Sequence, residues 1–206
     1  MTVAAQRVTL TTELPGRAAP FRIAEIRPQV NGLIQKRLFE EGSNVQQGQA
    51  LYQIDPAPFE AQVAQSSANL MLAEANLEKS RIAMRDAHTN FERNKILFEK
   101  KFVSQSDLDS SETAYLSAAA QIKASEAQLA QARASLQLTR TNLRYTKILS
   151  PVNGTVISRS VDVGQTVAAS FQTPTLFTIA QDLTKMQIDA SIDEADIGRI
   201  ETGGPV

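Results

Sequence analysis

Residues 29–55 read QVNGLIQKRLFEEGSNVQQGQALYQID and residues 151–179 read PVNGTVISRSVDVGQTVAASFQTPTLFTI, one phrase written twice. Val30-Asn31-Gly32 returns as Val152-Asn153-Gly154, and the next glycine of the phrase follows ten residues later in both copies, at Gly42 and Gly164. Each copy alternates apolar residues around glycine turns, as in Leu33-Ile34 to Leu38-Phe39, then Gly42, then Leu51-Tyr52-Gln53-Ile54. Short apolar runs between turns are the signature of short strands. Two such halves predict a small β-sandwich in which they interlock.

The roughly ninety residues between the copies contain no glycine and carry a seven-residue apolar period. Val63, Leu70, Leu77, Met84, Phe91 and Phe98 form one series, and smaller or polar residues follow three positions later at Ser66, Ala73, Ser80, Ala87 and Asn94. Beyond Lys100-Lys101-Phe102-Val103 the period restarts with Leu108, Tyr115, Ile122, Leu129, Leu136 and Leu143, partnered by Ser111, Ala118, Ser125, Ala132 and Thr139. Such spacing predicts two coiled-coil helices with a left-handed supercoil, large residues facing small ones nearby. Pairing Phe98 with Leu108 across the turn sets Phe91 opposite Tyr115, Met84 opposite Ile122, Leu77 opposite Leu129, Leu70 opposite Leu136 and Val63 opposite Leu143. Helices of this length reach ~65 Å, too far to be buried in the module that carries them. Their outer faces, rich in Ala, Gln, Ser, Lys and Glu, are either solvated or pack sideways against copies of the same hairpin.

The fold class is therefore α+β, a long antiparallel hairpin inserted between the halves of a β-sandwich. Composition removes several functions. A net charge of −1 and 5% aromatic residues, with no aromatic–basic interleaving, give no basis for nucleic-acid binding. No cysteine is present, which excludes thiolate chemistry and disulfides within these residues. No run of eighteen apolar residues occurs, and residues 1–20 lack the apolar core of a signal peptide. His88 is the single histidine, without a partner for a soft metal site, and reads as a helix-surface residue. Asp193, Glu194 and Asp196 have no candidate base or nucleophile beside them and read as turn or helix-start acids. With no phosphate loop, nucleophile elbow or paired-carboxylate site, no enzyme activity, metal or cofactor is expected.

The duplicated halves resemble those of a lipoyl or biotinyl carrier domain, and the order of segments resembles a periplasmic adaptor, or membrane fusion protein, of tripartite efflux pumps. Residues 7–56, with RVTLTTELPGR and FRIAEIRPQVNGLIQKRLFEEGS, look most like adaptors of resistance-nodulation-division pumps. Residues 104–200, with SQSDLDSSETAY and DEADIGRI, look more like adaptors of ATP-driven macrolide exporters. The resemblance implies residues 25–56 and 147–182 as the lipoyl-like halves, with turns at Gly32, Gly42, Gly154 and Gly164, and 57–146 as the hairpin with its tip near 99–105. Residues 1–24 and 183–206 are then parts of an incomplete β-barrel. In carrier domains the modified lysine sits on the turn joining the halves. Here the hairpin takes that place, and the nearest lysine, Lys147, has neither methionine nor aspartate beside it.

The resemblance further implies an Arg, a Leu and a Ser around the hairpin turn, four and then seven residues apart, that engage an outer-membrane channel. Arg93, Leu97 and Ser104 stand at that spacing in RNKILFEKKFVS. Each also has a plain reading: Arg93 as a solvated helix residue, Leu97 as apex packing, and Ser104 with Asp107 as the capping pair of the second helix. The basic set Arg93, Lys95, Lys100 and Lys101 would suit an acidic partner. The implied partners are an outer-membrane channel, an inner-membrane transporter of either class and further copies of the chain, six in a ring. The implied location is the periplasm, at the inner membrane in the full-length protein. Two other functions stay open from sequence, a carrier domain with an inserted arm and a hairpin scaffold for another helical partner.

Overall fold

The computed structural model describes residues 15–169, 174–192 and 203. In chain order the elements are β1 (Gly16–Pro20), β2 (Ile23–Ile26), β3 (Gly32–Arg37), β4 (Asn44–Val45), β5 (Ala50–Ile54), α1 (Ala57–Glu99), α2 (Gln105–Tyr145), β6 (Lys147–Leu149), β7 (Gly154–Arg159), β8 (Thr166–Val167), β9 (Phe177–Ala180) and β10 (Met186–Ala190). Two four-stranded sheets, ordered β2-β9-β7-β4 and β6-β5-β3-β8, form the sandwich, and each draws strands from both copies of the repeated phrase. β1 pairs antiparallel with β10 in a separate two-stranded ribbon. The acids Asp193, Glu194 and Asp196 and the outermost parts of both barrel segments lie outside the described residues.

The duplication is visible in the bonding. Asn153 accepts from the Gln47 N–H at 2.7 Å and its counterpart Asn31 accepts from the Ala169 N–H at 2.5 Å, so each Val-Asn-Gly asparagine holds a residue just beyond a short strand of the opposite half. The Gly42 N–H donates to Val156 at 3.0 Å, and the Gly164 N–H donates to Ile34, the equivalent residue, at 2.9 Å. Gly42 and Gly164 have φ of +76° and +89°, a conformation that carries little steric cost only for glycine. At Gly154 a side chain would run into the backbone of Ala180 on the paired strand β9, so that position demands glycine for closeness. Between the sheets lie Ile34, Leu51, Ile54, Val156, Leu176 and Ile179, fully buried. The rings of Phe39, Tyr52 and Phe177 meet at centroid distances of 5.3–5.7 Å, and the Tyr52 hydroxyl donates to the Val161 carbonyl at 2.7 Å. Phe59 and Tyr145, part-buried, pack against this core.

The hairpin is rooted in this core by polar contacts. The Ile54 N–H donates to the Thr146 carbonyl at 2.8 Å, and the Gln53 amide reaches the buried Thr146 hydroxyl at 3.2 Å. Pro56 starts α1 with its fixed φ, while Asp55 accepts from the Ala57 N–H. Along the hairpin every position of the two seven-residue series is buried or half-buried. The layers, however, pair like with like rather than large with small. Leu77 packs with Leu129, Phe91 stacks on Tyr115 at 5.9 Å, and the Ser80 and Ser125 hydroxyls bond across the seam at 2.8 Å. The antiparallel register places equivalent seam positions opposite each other, so thick apolar layers alternate with thin small-residue layers.

Candidate functional site

A helix of 43 residues followed by one of 41 carries the apex ~65 Å from the sandwich. Residues 100–104 make the reversal. The Phe102 N–H donates to the Leu97 carbonyl at 2.9 Å and the Lys101 N–H donates to the Phe98 carbonyl at 2.8 Å, the paired bonds of a Schellman ending. The position that glycine normally takes there is held by Lys101, with φ of +63°. Ser104 then caps α2: its hydroxyl accepts from the Asp107 N–H, and the Asp107 carboxylate accepts from the Ser104 N–H at 3.1 Å. The Ser104 hydroxyl also donates to that carboxylate at 2.6 Å, and this bond first, with the one from the Ser104 N–H, holds the Asp107 carboxyl below the usual carboxylate range. The second helix therefore begins at a fixed residue.

Arg93 is exposed on α1, its guanidinium donating only to Asn90 of its own helix at 3.3 Å. Leu97, one turn further along the same side, is half-buried and its carbonyl closes the apex turn. Ser104 is exposed and engaged in the cap. The arrangement thus sets Arg93 and Leu97 on one face of α1 and Ser104 at the start of α2, just beyond the five-residue turn. None of the ion pairs among the described residues involves Arg93, Lys95, Lys100 or Lys101, which leaves the apex cations open to a partner. Phe102 is 75% exposed at the extreme tip, and sequence reasoning passed over it. The signal was there: an aromatic residue off the seven-residue period, inside a short turn between two helices, has no core to enter.

Away from the apex the other candidates stay apart from it. His88 is exposed with its ring edge-on to Tyr115 at 5.1 Å. Lys147 is exposed at the start of β6, opposite Gln53 and at the root of the hairpin rather than on a tight turn. Among the described residues no three His, Cys, Asp or Glu side chains are grouped to hold a metal ion, and no helix is long and apolar enough to cross a membrane.

The family model described as "RND MFP, barrel-sandwich hybrid domain" matches residues 22–180, from the first sandwich strand through the hairpin to the last. The chain belongs to the membrane fusion protein family, the periplasmic adaptors of efflux pumps. The antibiotic efflux pump periplasmic linker protein ArpA of Pseudomonas putida is 40% identical to it over 197 residues, 96% of this chain and 45% of that protein. The multidrug resistance protein MexA of Pseudomonas aeruginosa is 42% identical over 167 residues, covering 81% of this chain and 36% of its own length. Among solved structures, MacA from Actinobacillus actinomycetemcomitans superposes with a TM-score of 0.82 at 33% identity, over 89% of this chain and 56% of that one. The chain spans between about a third and just over half of the length of these relatives. The adaptor sandwich and hairpin form one continuous match that includes parts of both stretches whose resemblances point to different exporters.

Proposed function

We propose that the chain is the hairpin-bearing part of a non-enzymatic periplasmic adaptor that joins an inner-membrane transporter to an outer-membrane channel and docks on the channel through the hairpin apex. The observation that carries this reading is the apex itself. A rigid arm on the order of 65 Å long ends in an open turn offering Arg93, part-buried Leu97, capped Ser104 and a bare Phe102. An arm of that length with a polar flank is suited to reach and bind, not to enclose a substrate. Six copies side by side would surround the channel mouth, so a contact of about 1.5–3 kcal/mol per charged hydrogen bond is repeated around the ring. The family model's own description favours a transporter of the resistance-nodulation-division class. The full-length protein would lie in the periplasm against the inner membrane.

The decisive variant is Arg93→Asp in the full-length adaptor. Because Arg93 is exposed and off the seam, helix content should be unchanged while capture of the channel in a pull-down is lost and drug resistance falls with it. Undiminished capture together with wild-type resistance would remove the apex from the mechanism. Leu97→Ser should act in the same direction.

A further inference from the structure

Charge is divided between the two broad faces of the hairpin. In an antiparallel coiled coil the seam is flanked on one side by one line of positions from each helix, and on the other side by a second line from each. One flank carries Glu74, Arg81 and Lys95 of α1 with Glu126, Arg133 and Arg140 of α2. The opposite flank carries Gln62, Asn69 and Asn76 of α1 with Gln121, Gln128 and Asn142 of α2. The only charge on that second flank is Asp107, which is engaged in the helix cap.

The same division appears in the grooves between the helices, which lie back to back at one height. The charged groove, about 710 Å³, is walled by Glu74, Glu78, Arg81, Glu126 and Arg133, with Arg133 and Glu74 paired across it at 3.8 Å. The opposite groove, about 310 Å³, is walled by Asn69, Leu72, Asn76, Gln128, Gln131 and Ser135. A surface helix ordinarily spreads charge over its solvated side. Here the two lines beside the seam on one broad face carry no charge but Asp107, and only Lys79, Asp86 and Arg93 stand one line further out on that side.

We infer that the amide face is turned toward the axis of the adaptor ring and lines the passage, while the charged face is turned outward. The inference rests on the ring reading above. In a ring each hairpin's narrow edges meet its neighbours, leaving one broad face inside and one outside. Fixed charges repeated around a narrow passage focus the field and select or retain cargo by charge. Amides, hydroxyls and alanines wet the wall and offer weak hydrogen bonds to molecules of any charge. The charged face, with its cross-helix ion pair, is the one suited to bulk solvent. The amide line runs along α1 to Leu97, and Arg93, on the same side of the helix, sets a cation on that face one turn before the apex where the channel begins.

The test uses the assembled pump, built with full-length adaptor, in cells with a permeabilised outer membrane. The 206 residues contain no cysteine, so a single introduced thiol is the only one within them. Asn76→Cys and Gln128→Cys mark the amide face, and Arg81→Cys and Glu126→Cys mark the charged face; all four positions are exposed. A bulky polyethylene-glycol maleimide should label all four in the isolated adaptor. In the assembled pump it should still label 81 and 126 and lose 76 and 128. The opposite pattern would overturn the face assignment alone, whereas labelling of all four in the pump would sink the enclosed ring itself. Loss of all four would mean that both faces are covered by protein, which also refutes the inference. A second arm separates a wetted wall from a buried contact. Asn76→Lys combined with Gln128→Lys should lower export of a cationic compound relative to an anionic one with the assembly intact; loss of assembly would show the face to be buried against protein.

Discussion

The hydroxyl pair in the seam gives an unequal mutational cycle. Ser80 donates to the Asn76 carbonyl at 2.9 Å, and a hydroxyl has one proton to give, so in the 2.8 Å Ser80–Ser125 bond the donor is Ser125. Ser125 is only 2% exposed and has no other partner among the described hydrogen bonds. Ser80→Ala therefore strands a buried donor and should cost about 1–3 kcal/mol. Ser125→Ala leaves Ser80 bonded to Asn76 and should cost about 0.5–1.5 kcal/mol. Replacing both removes every stranded group from a layer already built of small residues, so the double variant should lie close to wild type. The assay is urea unfolding followed by circular dichroism at the helix band, with hydrogen exchange to locate the loss in the hairpin rather than the sandwich. Equal single effects, or a double variant as unstable as the sum of the singles, would refute the assignment of donor and partner.

Leu129→Asp should be far more damaging, costing several kcal/mol, because it places a carboxylate against Leu77 in the driest apolar layer of the hairpin. An unchanged melting temperature and helix signal would mean the seam register is wrong. Lys101→Gly should stabilise the apex by roughly 0.5–1 kcal/mol, since a left-handed backbone is strained for lysine and free for glycine, read as slower exchange of the amides of residues 97–104. Asp107 has a lowered folded-state pKa, so the stabilisation from its cap is fully present above the unfolded carboxylate range and is lost as pH falls through the lowered value. Carboxyl titration by NMR should show that depression in the parent protein and a smaller one in Ser104→Ala, which loses the hydroxyl donor and keeps the backbone N–H.

Much of this architecture is written locally. A seven-residue period is carried by residues three and four apart, and a helix expresses it wherever it lies, so both helices, their partnership and the turn between them follow from spacing alone. The repeated phrase likewise marks two equivalent halves, and glycines at equivalent places mark equivalent turns. The cap at Ser104 is legible for the same reason, since its bonds span three residues. What tertiary structure decided involves residues far apart in the chain. The asparagines of the phrase look like turn residues until the sandwich closes, when they bond to backbone N–H groups 106 and 138 residues away. The Ser80–Ser125 bridge and the two grooves, one walled by amides and one by charges, exist only once two helices run antiparallel in a single register. The exposure of Phe102 depends on Lys101 adopting a backbone conformation that its side chain disfavours. Periodicity specifies which side of each element is apolar; only closure of the chain specifies which polar groups then meet, and those meetings set the chemistry of the surface.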